Sequence, residues 1–150
     1  MARRYVIADT FATGAAAQDL ARVTVPNNGV TRIIEIHATN EADETSEMIP
    51  FLIFRATSAG TGTAASISNL DETDSSAGAS ASAVVDLSGA ATQGNDLYRE
   101  AVNILAGFHY VPLPDSRPVF SNGASFGVRM DAAPTNTQTI ALTIVIETEG

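Results

Sequence analysis

The stretch QTIALTIVIET, residues 138–148, places its large apolar side chains at every second position. Successive side chains of a β-strand point to opposite faces, so the residues at these positions share one face. They are Ile140, Leu142, Ile144 and Ile146. The other face receives Ala141, Thr143, Val145 and Glu147. The stretch therefore predicts a strand with one wet face, which needs neighbouring strands for its backbone and an opposing apolar layer for its isoleucines.

The size and composition of the chain limit its class. Its 150 residues fit one domain, and a chain of this size buries about 68–70% of the surface that it exposes when unfolded. Hydrophobic residues make up 45% and the mean hydropathy is +0.10, which favours a folded domain over a disordered one. Cysteine is absent, which excludes a disulfide framework, a thiol nucleophile and a thiolate metal site.

The charge of the chain argues against two classes of partner. The formal net charge is -9, and the eight basic residues are all arginines scattered along the sequence. Binding to a phosphate backbone needs clustered cations, so no nucleic-acid partner is expected. The longest apolar run is far shorter than the ~20 residues that cross a bilayer, and Asp9 ends the first apolar run before a signal peptide can form. We expect neither a membrane partner nor an export signal.

Alternation of apolar and polar residues predicts further strands along the chain. They fall at residues 5–8, 21–25, 31–39, 48–56, 81–87, 108–111, 118–120 and 124–131. Residues 97–105 fit a short helix or a strand equally well. About eight strands, punctuated by turn residues, predict an all-β fold: an antiparallel β-sandwich or jelly roll with long loops rich in Ala, Ser, Thr and Gly.

Two of these strands have faces that bear on packing. In residues 31–39 the period of two groups one face as Ile34, Ile36 and Ala38, and the other as Ile33, Glu35 and His37. Residues 48–56 are apolar on both faces, as in a strand that is covered on both sides. The cover of the second face comes either from long loops of the same chain or from another subunit, and the sequence leaves both open.

The domain organisation follows from the same pattern. Residues 1–20 are predicted to form an N-terminal arm with one short strand, and residues 21–150 a single β-sandwich domain. Between Ala56 and Asn95 the composition shifts to mostly Ala, Ser, Thr and Gly, with no aromatic or basic residue. Because residues 81–87 still alternate, we expect this region to form long surface loops around one ordered strand.

Two short motifs match catalytic or cofactor-binding patterns in the wrong context. GASFG, residues 123–127, matches the nucleophile elbow around Ser125, yet both histidines precede it, and on that fold the histidine follows the serine. GTGTAA, residues 60–65, matches a dinucleotide fingerprint, yet no helical pattern follows it. The sequence therefore predicts no catalytic residue and no cofactor.

Metal binding is also not predicted. The acidic clusters at 41–47 and 71–74 offer oxygen ligands for Ca²⁺, but neither has the spacing or the glycine of an EF-hand, so solvated loops are the better interpretation. His37 and His109 lack a second ligand at the spacing of a zinc site. We expect His37 to be a packed or interface histidine.

The candidate interaction residues lie at the N-terminus and on the strand that is apolar on both faces. Arg3 and Arg4 can pair with acidic groups of a partner, although a solvated terminus is the commoner role for such residues. The second apolar face of residues 48–56 is a place where another subunit can pack. The candidate interface consists of Arg3, Arg4, Tyr5, Phe51, Ile53 and Arg55.

Three stretches give the chain a family resemblance: RIIEI at 32–36, FLIFRATSAGTG at 51–62, and the closing strand that ends in Ile146-Glu147. Their order resembles that of small virion proteins of tailed bacteriophages, the capsid decoration or cement proteins with a β-sandwich or jelly-roll body. The similarity extends over residues 30–148 as a pattern of strands and small-residue loops.

The resemblance implies a non-enzymatic structural protein on the exterior of a phage capsid, assembled in the host cytoplasm. Its partners would be the major capsid protein and further copies of itself in a homotrimer, without cofactor, nucleic acid or membrane. An acidic chain suits the outer surface of a capsid better than its DNA-filled interior. Copies that bind only the assembled lattice would stabilise it by mass action.

Two other functions stay open at this point. A carbohydrate-binding β-sandwich of a phage tail fibre or spike would need an exposed aromatic platform, for which the chain offers Tyr5, Tyr98 and Tyr110 and no tryptophan. A sandwich-fold hydrolase would depend on Ser125 and would lose its activity in the variant Ser125→Ala.

Overall fold

A computed structural model describes residues 2–14, 16–27, 29–41, 46–58, 60–71, 73 and 81–149. Within these ranges the chain is almost entirely β-structure and contains no α-helix. The strands are β1 (Ala2–Ala12), β2 (Gln18–Thr24), β3 (Val30–Asn40), β4 (Met48–Ala56), β5 (Thr61–Ala65), β6 (Ser68–Asn69), β7 (Ser82–Gly89), β8 (Gln93–Asn103), β9 (Phe108–Tyr110), β10 (Val119–Ser121), β11 (Ser125–Met130) and β12 (Thr139–Glu149). A 3₁₀ turn, Pro114–Ser116, lies between β9 and β10. The predicted all-β fold is confirmed.

The strands form two antiparallel sheets of six strands each. Sheet A has the order β10-β3-β12-β1-β6, and β9 pairs with β3 beyond the segment that β10 uses. Sheet B has the order β5-β7-β2-β11-β4-β8. Buried side chains from both sheets form one main core cluster, so the molecule is a β-sandwich.

The main strands pair as nested couples along the chain. β1 pairs with β12, β2 with β11, β3 with β9 and β10, and β4 with β8. Strands β5 to β7 are inserted between β4 and β8, where β5 and β7 extend sheet B and β6 extends sheet A. Because each couple encloses the next, the main strands are those of one long antiparallel ribbon folded across the sandwich.

The closing strand β12 is a central strand of sheet A, flanked by β1 and β3 over most of its length. Its alternating residues Ile140, Leu142, Ile144 and Ile146 are all buried in the main core. The strand therefore has the apolar face that its sequence predicts. Val145 on the opposite face is buried as well. The middle of that outer face is therefore less exposed to solvent than the sequence pattern predicts.

A β-bulge in β3 shifts the register between β3 and β12. Val145 pairs with Glu35, but the next residue, Ile146, pairs with Ile33. Ile34 is therefore the extra residue of the bulge, which leaves two residues of β3 opposite one of β12. Alternation along β3 is interrupted at this point.

The bulge corrects the predicted faces of β3. Ile33 lies in the main core with Ile36 and Ala38, whereas Ile34 lies outside that cluster. The prediction that grouped Ile34 with Ile36 and Ala38, and placed Ile33 on the face of His37, is wrong. The physical reason is that one inserted residue reverses the side of the sheet to which every preceding side chain points.

Alanine substitutions at the bulge test this assignment. Ile33→Ala is expected to lower the free energy of unfolding by about 2–5 kcal/mol, because it leaves a cavity in the main core. Ile34→Ala should cost less, since Ile34 is buried, at 8% exposure, but lies outside the main core cluster. Urea unfolding followed by circular dichroism measures both values, and equal costs would contradict the bulge.

The N-terminal segment and two other predicted segments form strands in the structure. Residues 2–12, predicted as part of an arm, form β1 and pair with β12 along their whole length. The predicted division after residue 20 falls inside β2. β4 has the predicted bounds, Met48–Ala56, and the ambiguous segment 97–105 is a strand as far as Asn103.

The region from Ala56 to Asn95 contains more strand than predicted. Where loops around one strand were expected, it holds β5, β6, β7 and the start of β8. Its residues 59, 72 and 74–80 lie outside the described residues. The added strands widen sheet B on the side of β2 and give β1 a second neighbour in sheet A.

Candidate functional site

Three of the predicted interface residues lie in the core. Tyr5, Phe51 and Ile53 are buried and belong to the main core cluster. The ring of Phe51 in sheet B stacks on Phe108 of sheet A, with 5.1 Å between the ring centroids. A side chain enclosed between two sheets offers no contact surface to a partner. The structure thus removes these three residues from the candidate interface.

The three predicted arginines make contacts within the chain. Arg3 and Arg4 are exposed on β1, and the Nε of Arg4 donates to the Oε2 of Glu147 at 3.0 Å. The guanidinium of Arg55 lies over the ring of Phe120, 4.7 Å from its centroid, and donates to a backbone carbonyl of β10. An interface role of these arginines stays a prediction.

The second apolar face of β4 is covered by the same chain. Leu52 and Phe54 are buried there in a second cluster with Leu87 and Ala91. The guanidinium of Arg129 on β11 lies over the ring of Phe54, 4.5 Å from its centroid. Of the two covers that the sequence left open, the structure shows the intramolecular one.

The two sequence motifs form strands. Ser125 begins β11, and its Oγ lies 2.9 Å from the Oγ1 of Thr24. The two histidines lie in sheet A, where they bond to each other. Residues 61–65 of the glycine motif form β5. In the described part of the chain, Ser125 therefore has no histidine base beside it, and no helix follows the glycines to hold a pyrophosphate.

The acidic clusters are only partly described, since residues 42–45, 72 and 74 lie outside the described residues. Glu47 accepts hydrogen bonds from the backbone nitrogen and the hydroxyl of Thr135. Asp71 accepts bonds from the hydroxyl and the backbone nitrogen of Thr73, which lower the pKa of its carboxyl. No group of three or more His, Asp or Glu side chains in the described ranges is placed to hold a metal ion.

A set of exposed apolar side chains lies beside β9. Val111 and Leu113 are 63% and 74% exposed, which is unusual for large aliphatic residues so close together. They line a groove of about 450 Å³ whose other walls come from β8 and β9. We call the apolar and aromatic side chains of this groove the β9 surface: Leu97, Tyr98, Tyr110, Val111 and Leu113. Of these, Val111 and Leu113 are the mostly exposed ones.

Two prolines fix the backbone of the β9 surface. Leu113 has the extended dihedrals φ -59° and ψ 150°, and Pro112 and Pro114 lie on either side of it. Because proline fixes φ, this segment has little conformational freedom to lose when a partner binds. The backbone that carries the two most exposed side chains of the surface is thus restricted in the free protein.

Two tyrosine rings form the floor of the groove. Tyr98 and Tyr110 lie 4.6 Å apart between ring centroids. The hydroxyl of Tyr98 donates to the Oε2 of Glu100 at 2.7 Å, which raises the pKa of Tyr98. Burial raises the pKa of Tyr110. Both hydroxyls therefore stay neutral at physiological pH, and the floor carries no charge of its own.

The histidines lie at one border of the β9 surface. His109 lines the groove, and its Nδ1 is 2.8 Å from the Nδ1 of His37. The spacing of the two histidines did not predict their contact, and the candidate interface contained no residue of the β9 surface. The signal for this surface in the sequence is VPLP at 111–114, where apolar residues alternate with prolines and so cannot belong to a sheet interior.

Comparisons with known protein families, with characterised proteins and with solved structures found no match to this chain. Within the described ranges, no helix is long and apolar enough to span a bilayer. A functional assignment therefore rests on the fold, the β9 surface and the resemblance given above.

Proposed function

We propose that the protein is a non-enzymatic structural protein of a phage virion, which binds the outer surface of the capsid and stabilises it. The β9 surface carries the proposal, because it exposes Val111 and Leu113 on a rigid segment. Exposed and contiguous apolar side chains typically mark a contact with another protein. The class of that partner, the major capsid protein, comes from the resemblance to decoration proteins.

The order of the strands supports the proposal. Two sheets built from nested antiparallel couples are what a jelly roll, with its two Greek keys, requires. We infer that the main strands form such a jelly roll and that β5 to β7 are an addition to it. This is the body that the resemblance to decoration proteins implies.

The assembly that we propose is a homotrimer on the exterior of the capsid, formed in the host cytoplasm. A net charge of -9 keeps free copies apart until a specific interface forms. A three-fold ring joins two different patches of each copy, so the β9 surface can serve the trimer contact or the capsid contact. Copies that bind only the assembled lattice stabilise it by their binding free energy.

The test measures mass in solution and binding to capsids. Light scattering is expected to give three times the 15.6 kDa of the chain. DNA-free capsids, assembled from the major capsid protein of the same genome, should sediment together with the protein. The variant Val111→Ser/Leu113→Ser should weaken assembly or capsid binding at least tenfold, because burying each aliphatic side chain contributes about 1.5–3 kcal/mol.

The matched control is Leu70→Ser/Leu105→Ser, which changes two leucines that are exposed away from the groove. It should keep wild-type mass and wild-type binding. A wild-type protein that stays monomeric and never sediments with capsids would refute the proposal. Equal losses in both double variants would show that the β9 surface has no special role.

One observation favours a second candidate, a carbohydrate-binding module of a tail fibre or spike. Tyr98 and Tyr110 lie side by side in a groove, and an aromatic ring can pack against the C–H face of a sugar. Tyr5, however, is in the core and Tyr110 is only 8% exposed, which leaves one accessible ring. Glycan binding that is lost in Tyr98→Ala, without any capsid binding, would favour this candidate.

A further inference from the structure

The two histidines form a cross-strand pair that joins β9 to the rest of sheet A. His37 of β3 stands opposite His109 of β9 in the register of the two strands. Their Nδ1 atoms are 2.8 Å apart, which is the length of a hydrogen bond. β9 has only three residues and pairs only with β3 among the described strands. This side-chain bond therefore adds to the backbone pairing of β9 with β3 and to the buried rings of Phe108 and Tyr110.

The remaining ring nitrogens determine where the hydrogens are. The Nε2 of His37 lies 3.1 Å from the Oε2 of Glu35, and the Nε2 of His109 lies 3.2 Å from the carbonyl oxygen of Ala106. Carboxylate and carbonyl oxygens only accept hydrogen bonds, so each Nε2 must be a donor. The bond between the two Nδ1 atoms needs a third hydrogen. The network is complete when the two imidazoles together carry one positive charge.

The geometry favours a proton over a metal ion between the rings. The ring centroids are 5.1 Å apart, and this exceeds the separation of the Nδ1 atoms by about two ring radii. Both nitrogens therefore lie on the line that joins the ring centres. A metal ion bound at about 2.0 Å from each nitrogen would need the two Nδ1 atoms to lie farther apart on this line, or the rings to be rotated away from it. A hydrogen on one nitrogen fits the observed positions of the rings.

We propose that the pair of His37 and His109 is a one-proton latch: it holds β9 on β3 while at most one imidazole is charged, and it opens when both are charged. A second proton would place N–H against N–H, so the bond between the Nδ1 atoms would be replaced by repulsion of two like charges. Histidine is the side chain that gains its charge in mildly acidic solution. Acidification therefore weakens the contact between β9 and β3 at the border of the β9 surface.

The groups around the pair agree with this behaviour. On β3, Glu35 is the carboxylate that lies against the pair, with its Oε2 3.1 Å from the Nε2 of His37. Arg32 on the same strand is paired with Glu149 of β12. The β12 residue opposite His37 is Thr143, which does not titrate in this range. From β8 and β9, the titratable groups on the groove side are Tyr98 and Tyr110, both uncharged.

The latch is tested on the 150-residue chain without any partner, so its failure would leave the capsid proposal untouched. Nitrogen NMR of the imidazoles near neutral pH should show a hydrogen on both Nε2 atoms and one hydrogen between the two Nδ1 atoms. From about pH 8 to about pH 5, the protection of β9 amides against hydrogen exchange should fall at least tenfold. The amides of β12 should keep their protection over the same range.

Three variants sharpen the test. His37→Gln and His109→Gln should each abolish the pH dependence of β9 protection, because neither can form a doubly charged pair. Glu35→Gln keeps an acceptor for His37 but removes the negative charge that stabilises the doubly charged pair, so opening should begin at lower pH. Wild-type β9 protection that does not change with pH would overturn the latch. The latch would also be refuted if β9 protection in His109→Gln fell tenfold with acidification as in the wild type. Imidazole spectra in which both rings gain their charge in a single step would refute it as well.

Discussion

Phe51→Ala is expected to lower the free energy of unfolding by about 3–5 kcal/mol, the usual cost of deleting a buried aromatic side chain. The ring of Phe51 is fully buried and lies nearly parallel to that of Phe108, at an angle of 7°. This stack joins sheet B to sheet A, so its loss weakens the packing between the two sheets. Since a domain is stable by only about 5–15 kcal/mol, the variant should lose a large part of its stability.

Urea unfolding followed by circular dichroism measures this cost. The matched control is Leu113→Ala, which truncates a side chain that is mostly exposed and should change stability by no more than about 0.5 kcal/mol. In the capsid assay the order should be reversed. When only folded protein is compared, Leu113→Ala should reduce capsid binding more than Phe51→Ala does. A Phe51→Ala protein with wild-type stability and lost capsid binding would return Phe51 to the interface.

Phe51 also shows which part of the fold the sequence can predict. An apolar residue at alternate positions indicates a strand and a face, and the predicted bounds of β4 are those of the structure. The pattern does not say whether a second apolar face is covered by the same chain or by another. Leu87 and Ala91 supply that cover from more than thirty residues away. The apolar residues predicted as an interface, Tyr5, Phe51 and Ile53, belong to the main core between the two sheets.

Local composition misled the prediction for the region after β4. Ala, Thr and Gly have little side chain to bury, so the segment at 61–65 gives no alternating signal, and its composition predicts a loop. In the structure it is β5, and a Cβ on Gly62 would lie 2.7 Å from the carbonyl oxygen of Val85 on β7. The small residue permits a close approach between the two strands. Pairing with β7 rather than intrinsic propensity places β5 in the sheet.

The candidate site could not be predicted from the spacing of residues in the sequence, because strand pairing brings its residues together. His37 and His109 are separated by most of the chain's middle part, and only the pairing of β3 with β9 sets them opposite each other. Motif rules look for ligands or partners a few residues apart. Pro112 and Pro114 indicate in the sequence only that a strand ends there, but in the structure they restrict the backbone of the β9 surface.

The largest electrostatic effect is expected at the ion pair of Asp19 and Arg129. A bulge between β2 and β11 sets the two residues opposite each other, and Arg129 donates to both carboxylate oxygens of Asp19. The side chain of Asp19 is 1% exposed and that of Arg129 is 15% exposed. Asp19 also accepts a bond from the backbone nitrogen of Ala91, and Arg129 donates to the carbonyl oxygen of the same residue. The pair thereby fixes the connection from β7 to β8 on sheet B.

Arg129→Met is expected to lower the free energy of unfolding by about 3–5 kcal/mol, because it leaves the buried carboxylate of Asp19 without its counterion. The variant Asp19→Asn/Arg129→Met should recover a substantial part of this loss. It buries no charge, and the asparagine oxygen can still accept the bond from Ala91. The comparison of the two variants separates the cost of an unpaired buried charge from the cost of lost packing on Phe54.

Arg99→Met is the matched control for this pair. Arg99 bonds to Asp131 at 2.7 Å, but its side chain is 48% exposed, so the loss should be about 0–1 kcal/mol. Urea unfolding of the three variants at neutral pH gives the comparison. If Arg129→Met were as mild as Arg99→Met, the Asp19 carboxylate would have to be solvated in solution, and the connection between β7 and β8 would not be held by this pair.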